Sequence, residues 1–93
     1  MSVRVLIPTP LRGYTDKRDT LVLEGRTVHE VLEKLFSHYS GLKRHLLTDD
    51  GKLRSFVNIY LNDEDIRFLQ KERTPVKEND VLSIIPSIAG GRT

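Results

Sequence analysis

The chain has 93 residues, with a hydrophobic content of 38%, a charged content of 30% and a formal net charge of +2 at neutral pH. This length suits one domain with a modest core, and no apolar run approaches the ~20 residues that a membrane-spanning helix needs. The small net charge, with basic residues interspersed among acidic ones, argues against nucleic-acid binding, and the absence of cysteine excludes disulfides, thiolate catalysis and cysteine-ligated metals.

Two strands are predicted near the start of the chain. In VRVLI, Val3, Val5 and Ile7 alternate with Arg4 and Leu6, which is the period-two pattern of a strand. Because a strand opens the chain in place of a signal peptide, we expect a cytoplasmic protein. The turn-rich segment PTPLRGYTDKRD predicts a loop with little regular structure, and TLVLE predicts the second strand.

The main helix is predicted to begin after Thr27. Thr27 and Glu30 form the T-x-x-E pattern of a capping box, in which each side chain can bond to the other's backbone. One apolar stripe follows at helical spacing, formed by Val28, Val31, Leu32, Leu35, Phe36 and Tyr39. Ser40 and Gly41 are predicted to end the helix, since glycine is common just past a helix.

The second half of the chain predicts further strands. LKRHLLTDDGK is expected to hold a short helical turn, RSFVNIYLN to form a long strand and IRFL to form a short edge strand. The long strand alternates between two faces, with Val57, Ile59 and Leu61 on one and Phe56, Asn58 and Tyr60 on the other. VLSIIP predicts the last strand, which Pro86 stops.

Four or five strands and one main helix imply an α+β fold in which the helix covers one face of a mixed sheet. Right-handed crossovers place the first and last strands side by side in the centre, which is the β-grasp (ubiquitin-like) arrangement. We therefore expect a β-grasp domain over residues 1–86 and a flexible C-terminal tail over residues 87–93, which contains Gly90 and Gly91.

No catalytic or metal-binding motif is evident within the predicted domain. The glycines there stand singly, and His29, His38 and His45 lack the i, i+4 spacing of a helical metal pair. The acidic run DED is interpreted as a solvated turn, since consecutive turn residues point in different directions. We therefore expect neither an enzyme nor a metal or cofactor site, so that function comes from a surface or from the terminus.

The chain end carries the remaining candidate residues. Ile88, Ala89, Gly90 and Gly91 lack polar bulk, and glycine permits close backbone approach, so such a tail can thread into a narrow site of another protein. A terminal carboxylate can be activated there as an acyl-adenylate, from which a nucleophile displaces AMP. The alternative is that the two glycines are only a loose chain end.

The strand order together with the terminal PSIAGG resembles the MoaD/ThiS family of ubiquitin-like sulfur carriers. The segments IPTPLR, YSGL, FVNIYLNDEDIRF and IIPSIAGG are similar, more narrowly, to the branch of this family that serves thiocarboxylate-dependent cysteine biosynthesis. The resemblance runs nearly end to end, and its specific part is FVNIYLNDEDIRF combined with the tail.

This resemblance implies a carrier that partner enzymes act on. An E1-like ATP-dependent adenylyltransferase/sulfurtransferase would adenylate the Gly91 carboxylate, and a sulfur donor would convert it to a thiocarboxylate. In the cysteine branch, the thiocarboxylate adds to an aminoacrylate on a pyridoxal-phosphate cysteine synthase, and a zinc metalloprotease releases the carrier-linked cysteine. The carrier itself binds no cofactor, nucleic acid or membrane in that scheme.

Arg92 and Thr93 depart from the family pattern, because most members end at the second glycine. Gly91 has no free carboxylate until both residues are removed, so a processing step is implied. Other roles known in the family stay open: the small subunit of molybdopterin synthase, a carrier for thiamine synthesis, or a protein modifier joined to lysines through Gly91.

A partner-docking face is also predicted. If Val57 and Ile59 pack on the helix, then Phe56 and Tyr60 emerge on the opposite face, where Ile85 of the last strand joins them. Three large residues on one exposed face exceed the scatter expected of a monomer and indicate a docking site. The alternative is that a loop covers them.

Overall fold

Five strands form one mixed sheet in the computed structural model, which describes residues 1–86: β1 (Ser2–Leu6), β2 (Thr20–Glu24), β3 (Val57–Leu61), β4 (Glu64–Asp65) and β5 (Val81–Pro86). Their order across the sheet is β2-β1-β5-β3-β4. Strand β5 runs parallel to β1 and antiparallel to β3, so the first and last strands lie side by side in the centre, as predicted. The α+β, β-grasp arrangement is confirmed, and the predicted tail at 87–93 lies outside the described residues.

The main helix, α1 (Val28–His38), covers one face of the sheet and begins with the predicted cap. Thr27 Oγ1 accepts a hydrogen bond from Glu30 N at 3.2 Å. The Glu30 carboxylate in turn accepts one from Arg26 N at 2.9 Å, one residue before the position that a capping box uses. In the described part of the chain, no helix is long and apolar enough to cross a membrane.

A second helix, α2 (Ser40–Leu46), contains the helical turn predicted in LKRHLLTDDGK and begins two residues before that segment. The backbone leaves the helical region at Tyr39 (φ −134°, ψ 80°) and then resumes a helix. Gly41 therefore lies inside α2, and the prediction that it ends the main helix is wrong. Its missing side chain leaves room for the ring of Tyr14, whose Cδ1 would lie 3.3 Å from an added Cβ.

Two segments, one predicted to be a loop and the other a strand, form short 3-10 helices instead. Residues Thr9–Tyr14, predicted as a loop, form one of them, with Pro10 in the first turn. Residues Ile66–Phe68, predicted as a short edge strand, form another, and Lys71–Arg73 form a third. Asp65 explains the change from a strand, because its carboxylate accepts a hydrogen bond from Arg67 N at 2.9 Å and caps the turn.

The core lies between α1 and the inner face of the sheet. Five inward-facing residues of the three central strands are at most 1% exposed: Val3, Val5, Ile59, Leu82 and Ile84. They are packed together with the predicted helix stripe, of which Val28, Val31 and Leu35 have no exposed surface. The inner face of the sheet thus forms the core that stabilises the fold.

Gly25→Ala should destabilise the fold, because the added methyl group has no room. Gly25 is buried, and a Cβ there would lie 2.8 Å from Val31 Cγ2 and 3.0 Å from Val31 N. We expect the free energy of unfolding in urea to fall by about 1–3 kcal/mol. The matched variant Gly13→Ala, with nothing within 4 Å of the new Cβ, should stay within about 0.5 kcal/mol of the wild type. Equal stability of the two variants would contradict the close packing of α1 on the chain at Gly25.

Candidate functional site

The candidate reactive residues belong to the C-terminal segment. The predicted sulfur-attachment, threading and processing residues all lie outside the described residues: Ile88, Ala89, Gly90, Gly91, Arg92 and Thr93. The structure does define where this segment begins. Pro86 is the last residue of the central strand β5 and pairs with Val57 of β3. Because β1 is parallel to β5, the carboxyl ends of these two strands lie at the same end of the sheet.

A row of three aromatic rings adjoins this starting point. Tyr14 stacks on His45 with 5.2 Å between ring centroids, and His45 meets Phe56 edge-on at 6.4 Å. Phe56 immediately precedes Val57, so the row lies beside Pro86. His45 is exposed, as are His29 and His38, which agrees with the prediction that the histidines lie at the surface.

The face of the sheet opposite α1, here named the outer face, carries two of the three predicted docking residues. Tyr60 is half-buried and Ile85 is 45% exposed. Leu6, which is 38% exposed, joins them, since both Leu6 and Tyr60 pair with Ser83 of β5. Leu6 was not among the predicted docking residues, although its alternation with Val5 and Ile7 already indicated an outward position.

Phe56 is placed differently from Tyr60 and Ile85. Strand β3 begins only at Val57, and Phe56 lies in the preceding turn, in which Val57 N donates to Arg54 O at 2.9 Å. The alternation of the strand therefore does not extend to Phe56. Its ring is half-buried, packs against the core and contacts His45, so a substitution of Phe56 acts on packing.

The acidic run after β3 has two different parts. Asn62 and Asp63 have positive φ angles of 51° and 80° and form the exposed turn that leads into β4. The solvated-turn interpretation is wrong for Asp65, whose side chain is only 6% exposed and forms an ion pair with Arg67 at 2.6 Å. The side-chain hydrogen bond from Arg67, followed by the bond from its backbone N–H, lowers the pKa of Asp65. The same side-chain bond raises the pKa of Arg67.

Within residues 1–86, no group of three or more histidine, aspartate and glutamate side chains could hold a metal ion. A groove of about 680 Å³ lies on the helix side, with Leu32 and Phe36 of α1 among its lining residues. The one serine in its lining, Ser37, donates its hydroxyl to Lys34 O at 3.0 Å, which is a local helix bond.

Comparison with known proteins gives a consistent set of relatives. Residues 5–91 match the family described as the ThiS family. The sulfur carrier protein CysO of Mycobacterium tuberculosis (strain ATCC 25618 / H37Rv) is 41% identical over 93 residues, which cover 98% of this chain and all of that protein.

Two solved structures show the same fold. A chain of the Amycolatopsis orientalis BexX/CysO complex matches with a TM-score of 0.86 and 40% identity, over 96% of this chain and 99% of that chain. The small archaeal modifier protein 1 of Methanosarcina acetivorans matches with a TM-score of 0.87 and 29% identity, over 97% and 96% of the two chains.

Asp65→Asn should reduce the loss of stability in acid. Because Arg67 lowers the pKa of folded Asp65, the ionised carboxylate favours the folded state. This contribution is fully present above the unfolded pKa of about 3.9 and is lost as the pH falls through the lower folded pKa. Urea unfolding between about pH 6 and about pH 2 should show a smaller acid loss for D65N than for the wild type. The control Asp63→Asn, in the exposed turn, should keep the wild-type slope, and an unchanged slope in D65N would contradict the role of the ion pair.

Proposed function

The chain belongs to the ThiS/MoaD family, and from this membership we propose that it is a sulfur carrier that works through the carboxyl group of Gly91. The observation that carries the proposal is the Gly90-Gly91 pair placed shortly after Pro86, where the central strand of the sheet ends. The family match extends to Gly91 and stops there, before Arg92. The identity of 41% to a sulfur carrier protein over nearly the whole chain supports the same role.

The proposed chemistry takes place on the carboxyl terminus of the carrier. A Gly91 carboxylate oxygen attacks the α-phosphorus of ATP on an E1-like activating enzyme, and pyrophosphate leaves. A sulfide-level sulfur then attacks the acyl carbon and AMP leaves, which converts the carboxylate to a thiocarboxylate. Glycine suits this position because it lets the backbone enter a narrow site without side-chain bulk. The folded domain would hold and present the segment.

Arg92 and Thr93 have to be removed before this chemistry can begin, since Gly91 has no free carboxyl group in the encoded chain. We propose hydrolysis of the Gly91–Arg92 peptide bond by a protease, with water supplying the new carboxylate oxygen. The zinc metalloprotease that the cysteine branch uses is the natural candidate, because it also cleaves directly after the two glycines.

Cysteine biosynthesis is the pathway that we propose for the sulfur. The support is the similarity to CysO proteins, at 41% identity in sequence and at a TM-score of 0.86 in structure. In this scheme the thiocarboxylate sulfur attacks an aminoacrylate on a pyridoxal-phosphate cysteine synthase. The resulting thioester rearranges to an amide, and the metalloprotease hydrolyses that amide to release cysteine.

Protein modification is a second candidate function. It is favoured by the structural match to the small archaeal modifier protein 1 of M. acetivorans. In that role the Gly91 acyl-adenylate is attacked by a lysine ε-amine, an isopeptide bond forms and AMP leaves. The two functions share the activation step and differ in which nucleophile receives the acyl group.

We further propose that the activating enzyme docks on the outer face. Leu6, Tyr60 and Ile85 lie around Ser83 in the last two outward-facing rows of the sheet before Pro86. A partner seated there would hold the starting point of the C-terminal segment. Partly exposed apolar surface of this kind is typical of the centre of a protein–protein interface.

Chain purified from its own cells should lack the mass of Arg92 and Thr93. A fraction of the molecules should also carry an oxygen-to-sulfur exchange, and intact-mass spectrometry detects both changes. A chain that ends at Gly91 should be adenylated without processing, whereas a Gly91→Ala variant should not be activated. The carrier proposal fails if only the full-length mass appears and the chain ending at Gly91 is not adenylated. Peptides with Gly91 joined to lysine would support the modifier role.

Ile85→Ala should lower the affinity for the activating enzyme by about tenfold, as expected for an apolar residue near the centre of an interface. Its free energy of unfolding should change by less than about 1 kcal/mol, because Ile85 is already 45% exposed. Lys34→Ala on α1 serves as the control and should bind normally. Phe56→Ala should instead lose about 1–3 kcal/mol of stability through packing. Wild-type binding by Ile85→Ala, measured by calorimetry, would rule out the docking face.

A further inference from the structure

The side chain of Arg67 is held in place by Asp65, which pairs with Tyr60 across β3 and β4. Arg67 Nε lies 3.2 Å and 3.1 Å from the two carboxylate oxygens of Asp65, and Nη2 lies 2.6 Å from Oδ2. Asp65 is 6% exposed, whereas Arg67 is 58% exposed. A nearly buried carboxylate therefore orients a guanidinium group that a binding partner can reach.

The guanidinium group keeps one of its two binding edges available. An arginine has five N–H donors, and Asp65 occupies the edge formed by Nε and one N–H of Nη2. The opposite edge, formed by Nη1 and the second N–H of Nη2, has no hydrogen-bond partner within residues 1–86. A second carboxylate fits that edge with two parallel hydrogen bonds.

Arg67 also lines a groove of about 450 Å³ along the edge of β3, where β4 covers only Tyr60 and Leu61. This edge groove is lined by six charged residues: Lys52, Arg54, Asp65, Arg67, Lys71 and Glu72. Four of the six are basic, and one of the two acidic residues, Asp65, is already paired with Arg67. The remaining charge is positive, so the edge groove is complementary to an acidic segment of a partner.

The edge groove adjoins the start of the C-terminal segment. Val57 lines the groove and pairs with Pro86, and neighbouring strands lie only about 4.8 Å apart. An enzyme that takes up the segment after Pro86 therefore has part of its surface beside this groove.

We propose that the edge groove binds an acidic segment of the activating enzyme, with an aspartate or glutamate carboxylate on the available edge of Arg67. This inference rests on the proposed function, because it assumes that the activating enzyme receives the segment after Pro86. Asp65 acts as the positioning residue, since it fixes the plane of the guanidinium group. Arg67 is the contact that selects the partner. Its planar guanidinium group can form two parallel hydrogen bonds with a carboxylate, which the ammonium group of a lysine cannot do.

Calorimetric binding of the full chain to the cognate E1-like enzyme tests the inference. Arg67→Ala and Arg67→Lys should both weaken binding by about tenfold or more, since lysine keeps the charge but cannot form the fork. Asp65→Asn should give a smaller loss, because Arg67 stays charged but is no longer fixed. Arg73→Ala, outside the groove, should bind like the wild type. Wild-type binding should also weaken more steeply with added salt than binding by Arg67→Ala.

Adenylation kinetics separate this inference from the proposed function. With the chain ending at Gly91, Arg67→Ala should raise KM for the carrier and leave kcat unchanged, because Arg67 is proposed to bind the surface of the enzyme and takes no part in the reaction at the carboxyl group. Binding and KM within twofold of the wild type for Arg67→Ala and Arg67→Lys would overturn the role of Arg67 while leaving the carrier function intact. Full rescue by Arg67→Lys would also overturn it, since a charge alone would then suffice. Failure of the wild-type chain ending at Gly91 to be adenylated would refute the proposed function itself.

Discussion

The pairing of β5 with β1 on one side and with β3 on the other is the constraint on which the rest of the structure depends. Leu82 and Ile84 of β5 point into the core, and Ser83 and Ile85 point to the outer face. The same strand ends at Pro86, where the C-terminal segment begins. One central strand therefore links the stability of the domain, the composition of the outer face and the point at which the C-terminal segment begins.

The inner face, the outer face and the edge of the sheet along β3 have different roles. The inner face and α1 supply the packed core, so changes there alter stability. The outer face has partly exposed apolar side chains, and the edge groove has an excess of basic groups. For the proposed carrier role, this separation would let recognition by partner enzymes change without loss of the core. Asp65 and Arg67 contribute both to stability and to the charged surface, since their contacts cap a turn and also orient an exposed cation.

Much of the fold could be predicted from local patterns, because the signals were strong and agreed with one another. The Thr27 cap and the apolar stripe after it defined α1, and the handedness of crossovers then placed the first and last strands together. The errors arose where one side chain changed the backbone path. Asp65 caps a 3-10 turn where a strand was predicted, and Gly41 accommodates the Tyr14 ring inside α2, although it was predicted to end the main helix. The position of Phe56 was misjudged because period-two alternation holds only within a strand, and β3 begins one residue later.

Pyrophosphate exchange tests the central claim, that the Gly91 carboxylate is the group activated with ATP. Adenylation is reversible, so an enzyme that adenylates the carrier incorporates labelled pyrophosphate into ATP only while the carrier is present. Exchange should occur with the cognate E1-like enzyme and a chain ending at Gly91, and should be absent with the full-length chain or with a chain ending at Gly90. Absence of exchange with the chain ending at Gly91, or equal exchange with all three chains, would contradict the account.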